Sequence, residues 1–171
     1  MATHTALRER VLPHGRPLRG DPRDPTYQAY VVLRFGFVLA PIVFGVDKFF
    51  NWMTYWPKYL WVGFPNFFGH VSPQHFMYAA GVVELTAGIL VLLVPRFAPY
   101  VIAGWLGGII TNLVIYSAAV GGHTGVYWDI ALRDFGLLLA AVALARLAAV
   151  YAPNPFRRTL QGRGHANTRL R

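Results

Sequence analysis

The sequence predicts an all-α membrane protein, a four-transmembrane-helix antiparallel bundle with an aromatic interfacial loop between helices 1 and 2. Three observations predict this fold: four long apolar stretches, a charged-residue content of only 13%, and arginines that gather at the two ends of the chain. With 171 residues and 55% apolar content, the chain is long enough for one domain and more apolar than ordinary soluble domains.

The four predicted spans cover about residues 29–51, 76–94, 97–120 and 129–151. At about 1.5 Å per residue, each can cross roughly 30 Å of hydrocarbon. The Pro95-Arg96 turn is so short that the second and third spans must form an antiparallel hairpin. Residues 28–151 are therefore predicted to form the transmembrane domain.

The connection between the first two spans is rich in tryptophan, tyrosine and phenylalanine and is interrupted by Pro57 and Pro65. Such side chains concentrate at the boundary between membrane and water, so we expect this segment to lie at the interface. In the third span, Gly104 and Gly108 form a small-xxx-small pattern, which predicts close helix packing there.

Residues 1–27 and 152–171 are predicted to be basic cytoplasmic tails, because they hold ten of the sixteen lysines and arginines. Placing both tails and Arg96 inside satisfies the positive-inside rule and predicts a plasma-membrane protein with both termini in the cytoplasm. The net charge of +9 is then expected to contact anionic lipid headgroups and not nucleic acid.

Several cofactor classes are excluded or disfavoured by composition. The chain has no cysteine, so it forms no disulfide and no cysteine-ligated cluster. No predicted span carries a central histidine, which disfavours a b-type haem. His70, His75 and His123 do not stand at a familiar ligand spacing, so no metal site is expected.

Polar residues from all four spans are predicted to meet in one layer in the outer half of the bundle. An ionisable group inside a span costs at least ~2.5 kcal/mol, so it needs a partner or a purpose. Glu84 and Asp134 are candidates for proton exchange, and Lys48, Arg133 and Asn112 are candidates for contacts to a quinone or an anion. The alternative is a buried ion network that fixes helix register and performs no chemistry.

Other charged residues have simpler expected roles. Asp129 and Arg133 stand four residues apart on the fourth span, a spacing that predicts an ion pair. Arg34 and Arg146 lie within about two turns of the predicted cytoplasmic ends, from which their side chains can reach the interface.

Three short motifs resemble the DoxX-like family of small four-helix integral membrane proteins. They are Gly45-Val46-Asp47-Lys48 in the first span, Gly81-Val82-Val83-Glu84-Leu85 in the second and Arg133-Asp134 in the fourth. The similarity covers about residues 29–150. It implies a four-helix membrane bundle; some members of the family are the quinone-linked subunit of thiosulfate dehydrogenase, and others are associated with oxidoreductase complexes. The long aromatic loop and basic tails depart from the family pattern and look like partner or lipid surfaces.

Three functions follow as hypotheses. The favoured one is an accessory or redox-associated subunit of a respiratory or oxidoreductase membrane complex, which implies other membrane subunits as partners. The second is a quinone-linked oxidoreductase subunit that uses the polar layer, with quinone as its cofactor. The third is a small transporter, although the sequence shows no inverted repeat.

Overall fold

The computed structural model describes residues 20–67, 69–120 and 126–152. All the regular structure in these ranges is helical, with no strand. Besides a 3₁₀ helix at Trp56–Tyr59, the helices are α1 Pro25–Phe50, α2 Gly63–Phe67, α3 Pro73–Leu93, α4 Ala98–Val120 and α5 Trp128–Tyr151.

Four of these helices, α1, α3, α4 and α5, are long and apolar enough to cross a membrane. This finding confirms the predicted all-α, four-span fold and identifies an integral membrane protein. Residues 1–19 and 153–171, which make up most of the two predicted tails, lie outside the described residues, as do Phe68 and His123.

Two spans begin earlier than the hydropathy pattern predicts, because capping residues extend them. The Asp24 carboxylate accepts a hydrogen bond from the amide two residues on, and Pro25 occupies the first turn of α1. Ser72 caps α3 in the same way by accepting from the amide of His75, with Pro73 in the first turn. His75, expected in the outer loop, therefore lies in the first turn of α3.

Helices α1 and α3 cross at very close range because glycines face each other. A Cβ atom placed on Gly81 would lie 2.7 Å from the carbonyl oxygen of Gly45, and one on Gly45 would lie 2.9 Å from the carbonyl oxygen of Gly81. A Cβ atom on Gly88 would lie 3.0 Å from the carbonyl oxygen of Val38, so the backbones also approach closely there. Small residues permit this backbone approach, which drives helix association in lipid.

The close packing predicted at Gly104 and Gly108 is wrong. A Cβ atom on either glycine would meet nothing within 4 Å, so this face of α4 is open. Helix α4 instead packs extensively on α5, where Ala141, Ala145 and Ala148 are fully buried. A small-xxx-small pattern shows only that another helix could approach closely. Which face of α4 is packed depends on the shape of the neighbouring helix.

The apolar core lies in the half of the bundle where α1 begins and α5 ends. There the Tyr151 hydroxyl donates to the Asp24 carboxylate at 2.8 Å, and the Tyr151 ring stacks on Tyr30. The two ends of the described chain therefore meet on one side of the bundle. The buried members of this core include Val91, Ala98, Ile102, Ala141, Leu144 and Ala148.

Arg34 closes the same end of the bundle. Its guanidinium donates to the carbonyl oxygen of Leu92 at 2.7 Å and to the Tyr30 hydroxyl at 3.4 Å. The last carbonyls of a helix have no partner inside the helix, so this arginine satisfies one of them at the end of α3. Arg146, by contrast, is exposed.

Candidate functional site

A buried ion pair joins α1 to α3. The Lys48 ammonium lies 2.5 Å from the Glu84 carboxylate, and the two side chains are only 7% and 10% exposed. Because α3 begins at Pro73, Glu84 is the twelfth of its 21 residues. Glu84 therefore lies near the middle of α3, at the inner edge of the outer half in which the sequence predicted it.

An indole lies against each member of the pair. The Trp105 Nε1–H donates to the second oxygen of Glu84 at 3.3 Å, and the Lys48 ammonium sits 3.9 Å from the centre of the Trp56 ring. At that distance the ring face attracts a cation. The pair is thus contacted by one tryptophan from α4 and another from the loop.

The buried carboxylate of Asp47 holds the start of the loop. One oxygen accepts the amides of Trp52 and Met53 at 2.9 and 3.0 Å, and the other accepts the Trp56 Nε1–H at 2.6 Å. Three donors satisfy a charge that is only 3% exposed. Asp47 therefore fixes the indole that covers Lys48.

Asn112, a predicted contact for quinone or an anion, is engaged by the loop. Its side-chain oxygen accepts from the Trp61 amide at 3.0 Å, and its nitrogen donates to the Tyr59 carbonyl at 2.7 Å. Both polar ends of this amide are therefore used to hold residues 59–61 against α4. The loop in this way crosses the end of the bundle from α1 to α4.

Tyr127 provides a further anchor, just before α5. Its hydroxyl donates to the Lys58 carbonyl at 3.3 Å. Burial raises the pKa of Tyr127, with smaller contributions from Tyr116 and Tyr59, while the charge of Lys58 opposes the shift. The hydroxyl therefore stays protonated at neutral pH and remains a donor to the loop.

The second predicted carboxylate, Asp134, pairs with its chain neighbour. The Arg133 Nε lies 3.4 Å from the Asp134 carboxylate, whose side chain is 8% exposed, while that of Arg133 is 67% exposed. Among the ion pairs of the described residues, Arg133 thus pairs with Asp134 and not with Asp129. The four charged residues of the predicted layer therefore form two ion pairs.

An apolar groove opens between α3 and α4. These helices are joined by the short turn at residues 94–97, yet they contact each other far less than either contacts its other neighbour. The groove has a volume of about 450 Å³, and Val82 and Val101 on it are 54% and 55% exposed. It is thus open to the outside of the bundle. Its other lining residues include Val83, Thr86, Leu90, Gly104 and Trp105.

Trp105 connects the groove to the ion pair, because its ring lines the groove and its Nε1–H bonds Glu84. Neither Trp105 nor the role of Trp56 was predicted from the sequence. A signal was present: Trp105 lies about 10 Å inside the start of α4, whereas tryptophans of membrane proteins concentrate at the interfaces.

No family model, curated protein or solved structure matches this chain. The similarity to the DoxX-like family therefore stays a prediction, and the function must be argued from the site itself.

Proposed function

We propose that this protein is a redox-associated membrane subunit that binds a quinone in the groove between α3 and α4, with its head group beside Lys48 and Glu84. One observation carries the proposal: a buried ion pair lies a single indole away from an apolar groove that opens to the outside of the bundle. Buried charges in a membrane bundle are costly, and they mark functional sites by default.

The chemistry of the groove favours a lipid-soluble ligand with polar atoms at one end. Its walls are apolar apart from Thr86, whose hydroxyl donates to the carbonyl of Val82 within α3. Binding sites of this kind have apolar walls and few polar groups, placed where they orient the ligand. A quinone has an apolar tail for the groove and carbonyl oxygens that accept hydrogen bonds.

Each polar side chain has a proposed part in this function. Lys48 has three N–H donors, so it can bond a quinone carbonyl while remaining close to Glu84. Reduction of a quinone to a quinol takes up two electrons and two protons. Glu84 and Asp134 exchange the protons, Arg133 remains a candidate contact, and an electron-carrying partner subunit supplies the electrons. Asn112 holds the loop and does not contact the ligand, because both ends of its amide bond residues 59–61.

The groove can be tested with two matched glycine variants of α4. A leucine at Gly104 would project into the groove, whereas a leucine at Gly108 would project from an equally open position that does not line it. In lipid nanodiscs, Gly104→Leu should weaken binding of a short-chain benzoquinone at least ten-fold, and Gly108→Leu should leave it unchanged. Equal quinone binding by both variants would contradict the proposal that the groove is the binding site.

The ion pair needs a separate test. Glu84→Gln and Lys48→Met should each lower quinone affinity roughly ten-fold, because about 1.4 kcal/mol of polar interaction with the head group is lost. Arg146→Met removes a positive charge from an exposed position on α5 and serves as the control. Wild-type protein that retains no quinone, or a Glu84→Gln variant that binds as well as wild type, would remove this function.

A second candidate is an accessory subunit that docks a partner of a respiratory or oxidoreductase complex by its aromatic loop. The favouring observation is the exposure of large apolar side chains on a well-anchored segment: Trp52 is 76% exposed and Phe67 83%. Aromatic residues on a rigid surface are typical of interface anchors. Affinity purification in mild detergent should recover partner subunits, and Trp52→Ala should reduce their yield; recovery of the free chain alone would count against docking.

We further propose that the protein lies in the plasma membrane with both termini in the cytoplasm. Arg34 and the turn containing Arg96 lie at the end of the bundle where the Asp24–Tyr151 hydrogen bond brings the start of α1 and the end of α5 together. Positive side chains favour the cytoplasmic side of a membrane. A reporter enzyme fused after Arg171 should be active inside the cell, and activity only outside would reverse the orientation.

A further inference from the structure

The Lys48 ammonium is held from two sides. Glu84 contacts it at 2.5 Å, and the face of the Trp56 ring lies 3.9 Å away. An ammonium against a ring face is attracted by the negative face of the π system. Unlike a second carboxylate, the ring adds no net negative charge to the site.

Trp56 is itself unusually well fixed for a loop residue. Its Nε1–H bonds the buried Asp47 carboxylate at 2.6 Å, its backbone amide bonds the Asn51 side-chain oxygen at 3.1 Å, and its ring packs edge-on against Phe44. Asn51 is in turn held by Gln74 of α3 at 3.3 Å. Contacts from both α1 and α3 therefore set the position of this ring.

We propose that Trp56 is a positioning residue for quinone binding: its ring face holds the Lys48 ammonium beside Glu84 and covers the pair on the loop side, so that the ligand approaches from the groove. This role rests on the function proposed above. When a quinone carbonyl accepts a hydrogen bond from Lys48, the ring keeps the ammonium in place while its bond to Glu84 loosens. Trp56 acts through Lys48 and does not touch the ligand.

Two substitutions of Trp56 distinguish the effect of an aromatic ring face from the effect of side-chain volume. Both Trp56→Phe and Trp56→Leu lose the Nε1–H that bonds Asp47, but only Trp56→Phe keeps an aromatic face for the ammonium, so the difference between them reports on the face. Trp128→Leu is the control, because Trp128 is a half-exposed tryptophan at the start of α5. Affinity for a short-chain benzoquinone is measured in nanodiscs for all three variants and wild type, together with thermal unfolding.

Trp56→Leu should lose roughly ten-fold in quinone affinity, Trp56→Phe should stay within about three-fold of wild type, and Trp128→Leu should match wild type. Equal losses for Trp56→Leu and Trp56→Phe would overturn the role of the ring face, as would wild-type affinity for Trp56→Leu. Wild-type protein that binds no benzoquinone would overturn the proposed function and this role together. A wild type that binds while Trp56→Leu matches Trp128→Leu would overturn this role alone.

Discussion

Replacement of Gly81 by alanine tests the α1–α3 crossing, on which the position of the ion pair depends. The new Cβ would lie 2.7 Å from the Gly45 carbonyl oxygen, 2.9 Å from the Phe49 ring and 3.3 Å from the Lys48 Cβ. An ordinary contact begins at 3.4 Å, so the two helices must separate by roughly 0.7 Å at this point. The nearest obstacle is backbone and cannot rotate away.

The expected size of the effect follows from two opposing terms. Overpacking of a close interface costs about 1–3 kcal/mol, and alanine in place of glycine in a helix recovers about 1 kcal/mol. Gly81→Ala should therefore lower the free energy of unfolding by up to about 2 kcal/mol. Gly108→Ala makes no new contact and should raise the free energy of unfolding by about 0.5–1 kcal/mol.

The assay is reversible unfolding of both variants and wild type in mixed micelles with increasing denaturing detergent, followed by circular dichroism. The two variants have the same chemical change in the same kind of helix, so their difference isolates the helix crossing. If Gly81→Ala is as stable as Gly108→Ala, α1 and α3 do not cross at these glycines, and the placement of Lys48 beside Glu84 loses its basis.

Three further predictions concern buried polar contacts. Glu84→Leu should destabilise the protein by about 3–5 kcal/mol because it leaves the Lys48 ammonium buried and unpaired, and adding Lys48→Met should restore much of that loss; a double variant that is worse than Glu84→Leu would contradict this. Asn112→Ala should release residues 59–61 and speed hydrogen exchange of the Trp61 amide, with no change in exchange arguing against that anchor. Tyr151→Phe should lower the free energy of unfolding by about 1 kcal/mol, and a variant as stable as wild type would mean that the hydroxyl bond to the start of α1 contributes nothing.

Parts of the candidate site could be predicted from the sequence, since charges in apolar stretches are conspicuous. Lys48, Glu84 and Asp134 were identified in this way, and all three are buried. The pairing within this group was not identifiable: the four-residue spacing predicted that Arg133 pairs with Asp129, whereas in the structure Arg133 pairs with its neighbour Asp134. Only the direction of each side chain decides between such alternatives.

The glycines show the same limit, because their packing partners could not be predicted from the sequence. Gly104 and Gly108 have the spacing of a packing motif but face open space, whereas Gly45 and Gly81 lie 36 residues apart and meet at the helix crossing. Local patterns carry no information about which distant segment approaches a given face. The tertiary arrangement of α1 and α3 decides that.

The amino-acid sequence by itself determined that this chain forms four membrane-spanning helices, because length and hydropathy suffice to place a segment in hydrocarbon. The tertiary structure alone decided that α3 and α4, despite their short connection, leave a groove between them, and that Trp105 links this groove to the ion pair. The physical reason is that insertion of a segment into lipid depends on the composition of that segment. Packing in lipid depends instead on how the surfaces of several helices fit together.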